Sequence, residues 1–398
     1  MRLIFLANAR IPSEKAHPLQ IMHMAEAFAA QGLEALLLHA RRDNTDTMLR
    51  VDNPFAYFGV APAFALIGLP CIDLIKRVTV DWPVFYRGPI PQLAHLLQLV
   101  TFTLSALVLV RRLRGDVIYS RDLFPLTLTT LRRRAGDRSC FECHTLPRSA
   151  ASQWLHLWAV RRVDRIVVIT SALRRWYLER GLPPERVLVA HDAAPAATFD
   201  LEPRTVARQA LDLALDAPLV CYVGHLYPWK GVDTLVAAAA KLPDTVQFAI
   251  VGGIPPDLDR VRQLAGGRRN VRTTGHRPPA EARRYLAAAD VAVIPFSGAT
   301  IIAREHTSPL KMFEYMAAGV PIVASDLPSL REVLRHEHNA LLVPPDDNAA
   351  LAAAIERLLS DHELAARLAR TARNEVADCT WNRRAARIVE FLDLPQPA

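Results

Sequence analysis

Ser308, Lys311 and Glu314 recur every three residues in Thr307-Ser308-Pro309-Leu310-Lys311-Met312-Phe313-Glu314-Tyr315-Met316, which puts their side chains on one face of a helix. Ser308 reads as the cap, Pro309 as the first helical residue, and Gly319 as the left-handed exit before the apolar run Pro321 to Ala324. Such a helix start attracts an anion: its free N–H groups and dipole carry partial positive charge, and Lys311 adds a full one. Glu314, one turn on, suits the hydroxyls of a ribose. On its own, the segment reads equally well as an amphipathic helix with a solvated Lys–Glu pair.

A second segment points the same way. Leu219 to Val223 is an apolar run that ends at Gly224, followed by His225-Leu226-Tyr227-Pro228-Trp229-Lys230-Gly231 and a helical pattern from Val232. The order is strand, glycine turn, basic loop, helix. Gly224 lets a ligand approach the backbone, and His225 and Lys230 can reach a diphosphate outside the carboxyl ends of the strands. Only five of the 48 basic residues are lysines, and two of these, Lys230 and Lys311, fall in the two segments. A compact ammonium, not a guanidinium fork, is wanted there.

Parallel sheets with crossover helices must position these loops, because strand and helix patterns alternate through both halves of the chain. The expected strands are Arg2 to Ala7, Val117 to Tyr119, Cys140 to Cys143, Arg165 to Ile169 and Val187 to Ala190, then Leu219 to Val223, Gln247 to Val251, Val271 to Thr273, Val291 to Pro295, Ile322 to Ala324 and Ala340 to Val343. A helix from Pro18 to Ala30 follows the first strand. A proline-containing linker, about His191 to Arg208, separates the halves, and a last helix runs from Trp381 to Leu392.

At 398 residues and 51% hydrophobic content, the chain is long and apolar enough for two cores. Its net charge of +8 is scattered, with Arg132-Arg133-Arg134 the longest basic run, and no interleaved aromatic patch marks a nucleic-acid surface. Cys140-Phe141-Glu142-Cys143-His144 has the spacing of a c-type haem attachment or a thiol redox pair. Haem attachment needs an exported setting, and the apolar run Met1 to Ala7 is too short for a signal peptide. Leu93 to Val110 is nearly uncharged and followed by Arg111-Arg112-Leu113-Arg114. At 18 residues it is at the lower limit for a membrane span, so a buried crossover helix is expected, with a surface-docked helix beside apolar Phe55 to Leu74 as the alternative.

Taken in order, Gly224 to Gly231, Val251-Gly252-Gly253, Gly275-His276, Ser308 to Pro321 and His338-Asn339-Ala340-Leu341-Leu342-Val343-Pro344 resemble the donor domain of retaining GT-B glycosyltransferases, the large family four. Ser13-Glu14-Lys15-Ala16, Asp116-Val117-Ile118-Tyr119-Ser120-Arg121-Asp122 and Phe141-Glu142-Cys143-His144 are similar to the acceptor domain of a subgroup that shares the Ser-Pro-Leu-Lys helix start. The resemblance implies an α/β GT-B fold of two Rossmann-like domains facing across a cleft: residues 1–194 for the acceptor, 195–378 for the nucleotide-sugar, and 379–398 as a helix crossing back. It also implies closure about the linker near His191 to Pro195.

The same resemblance implies a donor site of Gly224, His225, Lys230, Glu305, His306, Ser308, Pro309, Leu310, Lys311 and Glu314. Within it Lys230 binds the diphosphate, the N–H groups at Ser308 to Lys311 cradle it, and Glu314 holds the ribose. Lys230, Glu314 and His144 form the catalytic set, with Ser13, Glu14, Lys15, Arg121 and Glu142 on the acceptor side. The partners implied are a nucleotide-sugar donor and a sugar or lipid-linked acceptor, with no nucleic acid. No metal and no cofactor are expected, since the sugar nucleotide is a substrate. The place of work is the cytoplasm, with docking on the inner membrane face as the alternative.

Two positions depart from the family pattern. His225 stands where an arginine is usual, and His306, preceded by Glu305, stands where the first of two glutamates is usual. Donor identity is therefore open, as are two other readings: a sugar-nucleotide epimerase of the same architecture, with Glu142 or Asp122 as its carboxylate, and a non-catalytic sugar-nucleotide-binding partner.

Overall fold

The computed structural model describes residues 1–75, 89–131 and 136–394. The arginine run 132–134 lies outside the described residues. The chain divides into two compact units, Met1–His191 together with Trp381–Ala398, and Asp192–Thr380.

The first unit is built on a parallel sheet of β1 (Arg2–Ala7), β2 (Glu34–Arg41), β3 (Ala65–Pro70), β4 (Val117–Ser120), β5 (Arg138–Cys143), β6 (Arg165–Val168) and β7 (Val187–Val189). Their order is β3-β2-β1-β4-β5-β6-β7. Every residue of β1 from Leu3 to Ala7 is buried, as a central parallel strand covered on both faces requires. The order reverses between β1 and β4, so the loops leaving these strands open a crevice at their carboxyl ends. Helix Ala16–Ala30 begins directly after the β1 loop, and the last helix, Trp381–Phe391, packs along it with the rings of His23 and Trp381 stacked.

Two strands stand where none is expected. Glu34–Arg41 is leucine-rich and Ala65–Pro70 holds a glycine and ends on a proline, so their local composition does not favour a strand. Parallel pairing of β2 with both β1 and β3 overrides that preference. The apolar region Phe55 to Leu74 accordingly buries Phe58, Phe64 and Leu69.

The expectation of a buried crossover helix at Leu93 to Val110 is corrected. Helix Pro89–Leu113 buries one stripe, Ala94, Gln98, Phe102 and Ala106, and leaves the opposite apolar face in solvent. Only 33% of its apolar window is buried.

The second unit carries β8 (Leu219–Val223), β9 (Gln247–Val251), β10 (Val271–Gly275), β11 (Val291–Ile294), β12 (Ile322–Ser325) and β13 (Leu341–Val343), in the order β10-β9-β8-β11-β12-β13. Here the order reverses between β8 and β11. The loop after β8 holds Gly224 to Gly231, and the loop after β11 leads through Phe296 to helices Ile301–Glu305 and Leu310–Ala318. Both candidate donor segments therefore sit at the switch point of one sheet.

Candidate donor and acceptor sites

Lys230 and Lys311 converge on one aromatic ring in the second unit. The Lys230 ammonium lies 3.7 Å from the Trp229 ring centre and 4.2 Å from that of Phe296. The Lys311 ammonium lies 3.5 Å from the Tyr222 ring centre and 5.6 Å from that of Phe296. Burial pushes the Lys230 amine down to about 7. Lys311 is lowered well below its ordinary value, first by burial and then by the charge of Lys230. Its Nζ is buried without a hydrogen-bond partner. A buried amine with no hydrogen-bond partner, set beside a second, half-buried one, is costly, and a dianionic ligand would relieve that cost.

Glycine at 224 is what makes room for Lys311. Its φ is +138°, and a Cβ there would stand 2.8 Å from the Lys311 Nζ. Gly231, at φ +66°, closes the basic loop so tightly that a Cβ would lie 1.7 Å from the Pro295 carbonyl oxygen. His225 turns its ring onto Tyr227, stacked at 5.1 Å, and its carbonyl accepts from the Tyr222 hydroxyl.

The start of helix Leu310–Ala318 differs from expectation in two details. Pro309 is the capping residue and not the first helical one, and Ser308 does not cap: its Oγ accepts from the Asp192 N–H at 3.0 Å. The first turn thus keeps N–H groups that no side chain caps. Leu310 is the first helical residue and Lys311 the second. Tyr315, from the next turn, accepts from the Val223 N–H at 2.7 Å and so pins the helix to the end of β8. Burial raises the Glu314 carboxyl, while Arg283 and Lys311 oppose the rise. Glu305 ends its own short helix, and His306 follows it, buried, with its imidazole lowered mainly by burial. Arg283, Trp229, Tyr222 and Phe296 went unread in the sequence; only Trp229, beside Lys230, carried a local signal.

In the first unit, Lys15, His17, Arg121 and His144 gather at the ends of β1, β4 and β5. Burial, with Arg10 and Arg42, lowers the Lys15 amine to about 8. Burial, then Arg121, lowers His144 to about 4, so its imidazole is neutral at pH 7. His17 is lowered likewise and has a buried Nε2 without a hydrogen-bond partner. Arg121 donates to Gln20 Oε1 at 2.8 Å.

Three acceptor-side candidates turn inward. Glu142 is fully buried, and its carboxylate accepts from Gln20 at 2.8 Å, from Arg384 at 3.0 Å and from Tyr119, with the His144 Nε2 against the same oxygen as Gln20. Its oxygens are taken up by these partners, one of them the His144 ring. Ser13 is buried and accepts from the Lys15 N–H, and Glu14 is held by Arg10 and Thr45. Asp122 accepts from the Asn8 N–H at 2.7 Å. Arg384, on the last helix, had no signal in its surroundings.

The cysteine motif is structural. Cys140 and Cys143 are both buried on β5, at odd spacing and so on opposite faces of the strand. Burial raises both thiols, Cys143 to about 11. Neither haem attachment nor redox pairing suits such groups.

Comparison with known proteins agrees with this architecture. Residues 19–193 match the model of Glycosyltransferase Family 4, and residues 217–361 that of Glycosyl transferases group 1. The two matches fall one on each unit, and the pair of Rossmann-like domains is the architecture of the GT-B fold. It is 33% identical over 204 residues to a D-inositol 3-phosphate glycosyltransferase of Xylanimonas cellulosilytica, covering 49% of this chain and 47% of that protein. It is 29% identical over 232 residues to the alpha-D-kanosaminyltransferase of Streptomyces kanamyceticus, covering 56% and 58%. The chain thus spans about half the length of the curated relatives it matches. The sucrose-phosphate synthase of Thermosynechococcus elongatus superposes with a TM-score of 0.76 at 23% identity, over 99% of this chain and 98% of that one. Anabaena HepE in complex with UDP and glucose does so with a TM-score of 0.73 at 18% identity, over 99% and 100%. These solved structures speak for the fold.

Proposed function

We propose that the chain moves a sugar from a nucleoside diphosphate-sugar to a hydroxyl acceptor, with retention, in the cytoplasm, in the building of a polysaccharide or glycolipid. The observation that carries this reading is the pair of amines, half-buried Lys230 and buried Lys311, set at the sheet switch point beside an uncapped helix start. When the bond between the anomeric carbon and the diphosphate breaks, negative charge grows on the leaving oxygen. Fixed cations and N–H groups stabilise that charge without reorganising, and the site needs no resident metal to do so. Glu314, raised but held ionisable by Arg283 and Lys311, takes the ribose hydroxyls. Neutral His144, oriented through Glu142, is placed by the resemblance beside the donor sugar, and Lys15 and Arg121 face the acceptor. The relatives' names, an inositol phosphate glycosyltransferase and a kanosaminyltransferase, support sugar transfer and leave donor and acceptor open.

The epimerase reading loses its candidate carboxylates, since Glu142 and Asp122 are both committed to partners in the fold. The test is a thermal-shift series with UDP, GDP, ADP and their sugar conjugates, with and without divalent metal. One diphosphate should raise the melting temperature without metal, and Lys230→Ala should abolish the shift. No shift with any of them would sink the reading, and cellular activity surviving Lys230→Ala with Glu314→Ala would assign the site to a non-catalytic role.

A further inference from the structure

His17 is the second residue of helix Ala16–Ala30 in the first unit, and its Nε2 is buried without a hydrogen-bond partner. A buried polar atom left unmatched costs stability, and where it lines an opening it marks the place of a ligand atom. Burial comes first in holding this imidazole neutral; Arg121, His144 and Lys15 act the same way, and Glu142 alone opposes them. Lys15, His17 and Arg121 are each half-buried, so a ligand can reach them while little water screens them.

The carboxylates around this opening are committed to the fold. Glu14 pairs with Arg10, Asp73 with Arg42 at 3.0 Å and Glu142 with Arg384 at 3.0 Å, while Asp122 accepts from the Asn8 N–H. Arg10, Arg42 and Arg384 thus match three of these acids, and Lys15 and Arg121 stand against Asp122 alone, which leaves a surplus of positive charge. An ammonium, an imidazole N–H and a guanidinium offer donors from three directions, the set that a phosphate or a carboxylate takes up. We propose that Lys15, His17 and Arg121 form a subsite for an anionic group on the acceptor, so that the chain glycosylates a sugar bearing a phosphate or a carboxylate in preference to a neutral one. His17 donates from Nε2 to a ligand oxygen, and Lys15 and Arg121 neutralise the charge.

The subsite rests on the glycosyltransferase reading, which supplies the acceptor. Its test is calorimetric titration of the full chain with glucose 6-phosphate, glucuronate and glucose, run beside the nucleotide thermal-shift series. At least one charged sugar should bind roughly tenfold or more tighter than glucose, and which of the two does so separates phosphate from carboxylate. His17→Phe keeps a ring and removes the N–H; it should weaken that sugar several-fold and leave the nucleotide response unchanged. Lys15→Gln, at a half-buried position, should weaken the same sugar by roughly tenfold. No preference for charge in a protein that still responds to nucleotide, or an affinity that both substitutions leave intact, would overturn the subsite and leave the transferase reading standing. No response to any nucleotide would sink that reading and the acceptor subsite with it. A diphosphate response lost on His17→Phe would give these donors to the nucleotide and overturn the proposal as well.

Discussion

Arg384 and Glu142, 242 residues apart in the chain, form a buried ion pair in the first unit, with the Arg384 Nη2 3.0 Å from the Glu142 Oε1. The guanidinium also donates to the carbonyls of His191 at 2.8 Å and Ala190 at 3.2 Å. Arg384 thereby helps fasten the last helix to the β-sheet, beside Arg387, which donates to the Val189 carbonyl, and Arg165, which donates to that of Phe391. Burial alone would raise the Glu142 carboxyl, but Arg384, His144 and Arg121 hold it well below the usual carboxylate range. Removing the arginine strands a charge in the core. Arg384→Met should cost about 3–5 kcal/mol in chemical denaturation. Adding Glu142→Gln should return a large part of that loss, because the uncompensated carboxylate is then gone. Equal stability of the single and double variants would show that packing, not charge, accounts for the loss.

Acid should weaken the first unit before its carboxylates titrate. His144 and His156 are both lowered to about 4, chiefly by burial. In the unfolded chain they protonate near the ordinary value of about 6.5. Their folded pKa lies below the unfolded one, so their full stabilisation is present above pH 6.5. It is lost as pH falls from there to about 4, by up to about 1.4 kcal/mol per unit for each. Denaturation at pH 7, 6 and 5 should show this slope. His156→Gln, which can still meet the Tyr177 hydroxyl now 2.6 Å from the ring nitrogen, should reduce it.

Gly224→Ala should separate stability from ligand binding. The new methyl would enter the space of the Lys311 ammonium, and the residue would have to hold φ at +138°. That backbone region costs a non-glycine residue about 1–3 kcal/mol. Nucleotide binding should fall by more than the melting temperature would suggest, since Lys311 is displaced from the site. A variant with lowered stability but unchanged diphosphate affinity would remove Lys311 from the donor site.

The two candidate donor loops were legible as strand–turn–helix segments because their backbone signals are local. Gly224, Lys230 and Lys311 are each placed by residues within a few positions, at the switch point between β8 and β11, while Gly319 makes the left-handed exit at the far end of the helix, before β12. What was illegible depends on distant partners. The rings of Tyr222 and Phe296, which flank the two amines, come from different places in the sheet, Tyr222 from β8 and Phe296 from the loop after β11. Arg384 lies on an amphipathic helix where any arginine reads as solvated, yet it is 4% exposed. β2 was lost because leucine and alanine favour helix locally, and only pairing on both sides makes Glu34–Arg41 a strand. Ser308 was misread as a cap for a similar reason: a hydroxyl at the right place for the helix is taken by the N–H of Asp192, 116 residues away.

Diphosphate affinity should depend on pH through Lys230. Its amine is held at about 7 by burial, so at pH 8 most molecules carry it neutral. A bound diphosphate would restore the cation, raising the pKa in the complex and drawing a proton from solvent. Affinity should therefore fall, by up to roughly tenfold per unit from Lys230, as pH rises above about 7 toward the pKa of the complex. Lys311, also lowered by burial and by the charge of Lys230, works in the same direction. Titration calorimetry at pH 8 in buffers of different ionisation enthalpy should report net proton uptake on binding. Lys230→Arg should bind with less pH dependence between 7 and 9 than the parent, because guanidinium stays charged there and only Lys311 still titrates. Proton release on binding, or an affinity that rises with pH, would mean that the amines are already charged in the free protein and that the aromatic rings around them do not set their chemistry.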